Sequence, residues 1–148
     1  MSPLKPDNGK NKPKVWYSEG LRFECGRCGD CCRGEPGVVW VTRTEREAIA
    51  AFLDKPLAEF DREFVRLAAF GRSLKEHPNG DCYMWRDGVG CSIYPVRPRQ
   101  CRTFPFWNVY LGSPEDWSRA ARRCPGVNHG KLHTAAEIER IRDESGGI

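Results

Sequence analysis

A chain of 148 residues, 39% apolar and 30% charged, has the length of one modest domain and few side chains to spare for its core. No stretch approaches the ~18 consecutive apolar residues of a membrane helix, and the N-terminal residues, Met1 to Lys14, lack the apolar run of a secretory signal. The formal net charge of +4 counts all eight cysteines as neutral. Metal-bound cysteines are thiolates that would offset it, so the charge does not by itself call for nucleic acid.

These features place the chain in the cytoplasm, where thiols stay reduced and many cysteines point to metal rather than disulfides. Residues 1–20, rich in lysine and proline, read as a disordered or loosely docked polar arm. Residues 21–148 read as one cysteine-cluster metal-binding domain. Cys25 to Cys32 come first, in a glycine-bearing segment. Val38-Val39-Trp40-Val41 reads as a strand or extended run. Thr44-Glu45-Arg46-Glu47 has the form of a capping box opening an amphipathic helix through Ile49, Phe52 and Leu53, closed by Asp54-Lys55-Pro56. A second helix is expected to carry Phe60, Phe64 and Leu67 on one face and to stop near Gly71.

Further on, the Asp87-Gly88 pair between Cys82-Tyr83-Met84-Trp85 and Cys91-Ser92-Ile93-Tyr94 predicts a β-hairpin. Pro95, Pro98 and Pro105 make the next stretch irregular, which suits a metal-binding loop. Ser113-Pro114-Glu115-Asp116 starts a third helix that runs into Cys124-Pro125-Gly126, and Thr134 with Glu137 starts a last one burying Ile138 and Ile141. The expected fold is small α+β: an irregular cysteine-rich core with a short β-hairpin and about four helices.

The cysteines carry the chemistry. In Cys25-x2-Cys28-x2-Cys31-Cys32, two successive Cys-x2-Cys steps place three sulfurs on one side, like the first three ligands of a bacterial ferredoxin run. A distant cysteine followed by proline supplies the fourth ligand there, a role that Cys124-Pro125 fits. Cys32 breaks that spacing, so it belongs to a second site or replaces Cys31 in the first. With Cys82, Cys91 and Cys101 it makes another four. The residues thus allow two four-thiolate sites, or one site with spare thiols. An iron–sulfur cluster of the 4Fe-4S type, or iron, ranks ahead of zinc, because zinc ribbons present two Cys-x2-Cys knuckles and the second half has none. Arg97 and Arg102 bracket Cys101 and are candidates to donate to cluster sulfurs, against a plain reading as surface charges. Trp85, Phe104, Phe106 and Trp107 are candidates to keep water away. His129 is a weaker candidate ligand, set against an ordinary exposed histidine.

The segments Phe23-Glu24-Cys25-Gly26-Arg27-Cys28-Gly29-Asp30-Cys31-Cys32-Arg33 and Cys91 through Phe106, followed by Cys124-Pro125-Gly126, resemble the CxxCxxCC family of zinc- or iron-chelating domains, the YkgJ-type cysteine cluster proteins. The resemblance implies metal chelation by the cysteines. One branch of that family is a flagellin lysine N-methylase, but this chain is short and lacks a glycine-rich strand–helix turn to hold a methyl donor. Two other readings stand beside metal chelation: a zinc-stapled module that binds protein or nucleic acid, and a cluster-dependent, protein-methylase-like enzyme. The expected partners are a metal ion or cluster and, secondarily, a protein.

Overall fold

The computed structural model describes residues 14–31, 33 and 37–146. Its elements are β1 (Leu21–Phe23), α1 (Arg43–Phe52), α2 (Leu57–Phe64), β2 (Val65–Ala68), β3 (Gly71–Leu74), β4 (Trp85–Arg86), β5 (Gly90–Cys91), a 3-10 turn (Tyr94–Val96), α3 (Arg99–Thr103), α4 (Asn108–Leu111), α5 (Pro114–Arg123), β6 (Val127–His133) and α6 (Ala135–Glu144). The strands pair as three two-stranded antiparallel ladders, β1–β6, β2–β3 and β4–β5. This is the expected small α+β class.

Helix α1 begins two residues earlier than expected. Thr42, not Thr44, is its N-cap: the Glu45 amide donates to Thr42 Oγ1 at 3.2 Å, and the Thr42 amide donates to Glu45 Oε1 at 3.0 Å. Both threonines precede a glutamate at position three, so spacing alone did not separate them. The helix closes at Leu53 as expected, with Asp54 in the left-handed region.

The second helix corrects the sequence reading. It ends at Phe64 rather than near Gly71, and Val65 to Leu74 form a hairpin in the register Val65↔Leu74 through Ala68↔Gly71. Leu67, expected on the buried helical face, is 78% exposed. The reason is tertiary. The extended segment at Val39–Val41 bonds the far edge of β3, with Val41 N donating to Arg72 O and Leu74 N to Val39 O, each at 3.0 Å. A strand whose two edges are both paired outweighs a weak local helix preference.

The Asp87-Gly88 hairpin is present, with Trp85 opposite Cys91 and Arg86 opposite Gly90. Its strands are only two residues each. Ser113 caps α5 through its Oγ, which accepts from the Asp116 amide at 3.1 Å, and Thr134 caps α6 by accepting from Glu137 N at 3.2 Å. The ladder of β1 with β6 was not legible beforehand. It pairs Leu21 with His133 and Phe23 with Val127, across a register shift after Arg22.

Packed chain also starts before the boundary expected at residue 20. Tyr17 is buried, and Trp16 Nε1 donates to Leu111 O at 2.8 Å. The rest of the expected arm, residues 1–13, lies outside the described residues.

The apolar side chains form two separate cores. One joins Tyr17, Phe104, Phe106, Trp117, Val127 and Ile138, with the Cys124 side chain at its edge. The other joins Val41, Ile49, Phe60, Leu74, Met84 and Ile93, with Cys82 and Cys91 packed against it. Among the described residues no helix is long and apolar enough to cross a membrane.

Candidate metal centre

Cysteines far apart in the chain meet where these two cores face each other. The β1–β6 ladder continues one step past Phe23, where Glu24 N donates to Gly126 O at 3.2 Å. That bond sets the start of the first cysteine loop beside Cys124, the C-cap of α5. The approach is so close that a Cβ on Gly126 would lie 2.1 Å from Glu24 O, which gives the closing Cys-x-Gly motif its physical reason. On the other side of the loop, Gly29 has φ of +86°, and a Cβ there would fall 2.3 Å from the Trp85 ring. Trp85 in turn pairs with Cys91 across the β4–β5 ladder. Cys101 arrives on α3, just after the proline-rich turn.

The result is a cavity of about 140 Å³ whose lining includes Cys25, Cys28, Cys31, Cys91, Cys101 and Cys124. Arg27, Arg97 and Arg102 line it too, with Phe23, Trp85, Tyr94 and Phe104, and among the described residues no histidine or carboxylate does. A second cavity of about 200 Å³ shares Cys31, Cys101 and Phe104 with the first and adds Cys82, Trp107, Tyr110 and Arg123. The cavities do not follow a division of the cysteines into Cys25-Cys28-Cys31-Cys124 and the rest, since Cys91 and Cys101 share the first cavity with that quartet. Cys32 lies outside the described residues. His129 is exposed and lines neither cavity, and His133 Nε2 instead meets Phe23 O at 3.0 Å. Phe106 is buried in the first core away from both cavities.

Among the described residues, no three Cys, His, Asp or Glu side chains converge tightly enough to ligate one metal ion. The thiols line a space rather than a point.

Their environment disfavours bare thiolates. Burial, with the nearby Cys91 thiol, pushes Cys82 up to about 11, although the Met84 amide donates to its sulfur at 3.5 Å. Burial and the thiols of Cys82, Cys31 and Cys91 push Cys101 up still further, against the lowering effect of Arg97. Burial also raises Cys28, Cys91 and Cys124. A charge on these sulfurs therefore needs a cation among them. Backbone amides are already in place to share it: Asp30 N reaches Cys28 Sγ at 3.5 Å, Ile93 donates to Cys91, and Gly126 and Val127 donate to Cys124. Clustered thiols, amide donors and neighbouring guanidiniums are the chemistry that suits a thiolate metal centre.

The CxxCxxCC family, described as "Putative zinc- or iron-chelating domain", matches residues 24–125. The chain belongs to this family. The matched span opens one residue before Cys25 and closes one after Cys124, so it contains all eight cysteines. An uncharacterised protein of Methanocaldococcus jannaschii, MJ0661, is 31% identical over 91 residues, covering 61% of this chain and 48% of that protein. The chain thus spans about half the length of this relative. No solved structure matches.

Sequence reasoning for this CxxCxxCC chain missed two contributors. Tyr94 stands in the cavity wall with two guanidiniums over its ring, Arg27 at 3.9 Å from guanidinium carbon to ring centre and Arg97 at 3.8 Å. Gly29 is the second, and only its contact with Trp85 reveals it. Arg97 and Arg102 do line the cavity, but each also has a local partner: Arg97 Nε donates to Tyr94 O at 3.0 Å, and Arg102 pairs with Glu144 at 3.1 Å.

Proposed function

We propose that the chain holds an iron–sulfur centre, in the reducing cytoplasm, through the thiolates of Cys25, Cys28, Cys31, Cys91, Cys101 and Cys124. Cys82 and Cys32 are auxiliary or alternative ligands. One observation carries the reading: six thiols from four separate chain segments line one cavity in which, among the described residues, no histidine or carboxylate takes part. Sulfurs spread around a space suit a polynuclear cluster better than a single tetrahedral zinc, which needs four donors at one point. Zinc is the competing occupant, and the family description names it.

When bound, such a cluster supplies one-electron redox chemistry. The chain's own residues surrender thiol protons, hold the sulfurs with backbone amides, and limit water with Trp85 and Phe104. Arg97 and Arg102 place positive charge beside the resulting anion.

Anaerobic purification from iron-rich medium, with elemental and sulfide analysis and a visible spectrum, tests the proposal. A brown protein containing iron and acid-labile sulfide is expected. Colourless protein with stoichiometric zinc would replace the cluster by the zinc reading. Cys28→Ser should lose most of the metal and Cys101→Ser a measurable part of it. Full metal content in Cys28→Ser would remove the first loop from the ligand set.

A further inference from the structure

Arg27 and Arg97 both lie over the Tyr94 ring, at 3.9 and 3.8 Å from its centre, at the wall of the cysteine cavity. Among the described residues, neither guanidinium has a carboxylate within salt-bridge distance, whereas Arg33 pairs with Asp81 at 3.9 Å and Arg102 with Glu144 at 3.1 Å. Nor does the Tyr94 hydroxyl have a hydrogen-bond partner among those residues. Arg27 occupies the left-handed region, with φ of +55°, a conformation that side chains other than glycine adopt only when the surroundings enforce it. Two like charges beside one ring repel each other, and the ring quadrupole offsets only part of that. The cavity wall they share contains a third arginine and, among the described residues, no acid.

From these cations we infer a binding site for a small anionic ligand, one bearing carboxylate or phosphate groups, at the Arg27–Tyr94–Arg97 side of the cysteine cavity. A guanidinium offers two parallel N–H donors that match the oxygens of either group, and the Tyr94 phenol adds a further donor in the same side-chain cluster. The apolar walls from Phe23, Trp85 and Phe104 would strengthen those bonds by lowering the local dielectric. A ligand held there lies against Cys25, Cys28 and Cys91, so it is a candidate substrate or exchangeable ligand of the centre. The inference goes beyond the metal reading, because it stands on the cations and not on the thiols.

Calorimetric titration of the full chain as purified, at constant ionic strength, tests it, with succinate in one arm and inorganic phosphate in the other. Metal content is measured on every sample. Saturable binding of one equivalent is expected in at least one arm, and the better arm names the ligand group. Arg27→Gln should weaken binding ~10-fold or more with bound metal unchanged, Arg97→Gln should weaken binding as much, and Arg102→Gln, already paired, should weaken it less. Arg27→Lys keeps the charge and stem where the glutamine variant does not fold. It should still bind more weakly than the parent, since lysine lacks the planar fork. Absence of saturable binding in both arms overturns the proposal. So does binding that Arg27→Lys and Arg97→Gln leave unchanged, or loss of metal in step with loss of anion in the Arg27 variants, which would make Arg27 a counter-charge for the centre alone. Anion binding by protein that carries no metal would keep this site and remove the metal reading.

Discussion

At the scale of single residues, the site depends on two glycines whose missing side chains let chain segments touch. Gly126→Ala would drive a Cβ into the backbone oxygen of Glu24, and backbone cannot rotate away as a flexible side chain can. We expect a loss of ~1–3 kcal/mol in thermal or chemical unfolding, with weaker metal retention because the Cys124 turn moves off the Cys25 loop. Wild-type stability and metal content in that variant would refute the close approach. Gly37→Ala is a suitable control, since among the described residues nothing lies within 4 Å of its added carbon.

The thiols make a second prediction at this scale. Burial raises Cys28, Cys82, Cys91, Cys101 and Cys124, Cys82 to about 11, so without metal these five keep their protons at neutral pH. Ligation must expel those protons. Metal affinity should therefore climb as pH rises and fall as pH drops, across the whole range between about pH 6 and about pH 8. Competition with a chelator at both ends of that range, and an indicator dye for released protons, would measure it. A flat affinity with no proton release would mean that the metal is not held by these thiols.

At the scale of elements, the caps and ladders decide where helices start and stop. Thr42→Ala should cost ~1 kcal/mol of stability by removing the α1 cap, and Thr44→Ala markedly less. Equal effects of the two changes would contradict the observed box. Neither threonine lines a cysteine-bearing cavity, so metal content should stay constant in both. The β2–β3 hairpin shows how an element can be misread. Phe60, Phe64 and Leu67 have helical spacing, yet Leu67 faces solvent because Val65 to Leu74 pair in the strand register. Leu67→Ser is thus expected to be nearly neutral for stability, a change of at most ~0.5 kcal/mol, where a buried helical leucine would cost several times more.

For the whole molecule, the decisive feature is that two small cores meet across the cysteines. Cys124 belongs to one core, while Cys82 and Cys91 pack on the other. The ladders are two-stranded, and such pairs are marginal without support. Structural metal sites can contribute ~10 kcal/mol, as much as the stability of an entire domain. Chelation under reducing conditions should accordingly uncouple the two halves. The single cooperative melt of the loaded protein should become broad or biphasic, and re-adding iron with sulfide, or zinc, should restore it. A metal-free chain that melts in one sharp transition at an unchanged temperature would show the cores are sufficient alone.

Local chemistry determined much of this protein before any fold was known. Cysteine spacing, the ferredoxin-like first run and the proline after Cys124 marked metal chemistry, because ligand sets near in sequence leave a periodic trace. The α5 and α6 starts and the Asp87-Gly88 turn were legible for the same reason: a cap or a tight turn is completed within four residues. What joins distant segments left no such trace. The β1–β6 ladder, the end of α2 at Phe64, the sharing of one cavity by Cys91 and Cys101 with Cys25 and Cys124, and the stacking of Arg27 and Arg97 on Tyr94 each depend on partners remote in the chain. Only tertiary structure decides these, because a strand edge, a cavity wall or a ring face carries no preference until its partner arrives to satisfy it.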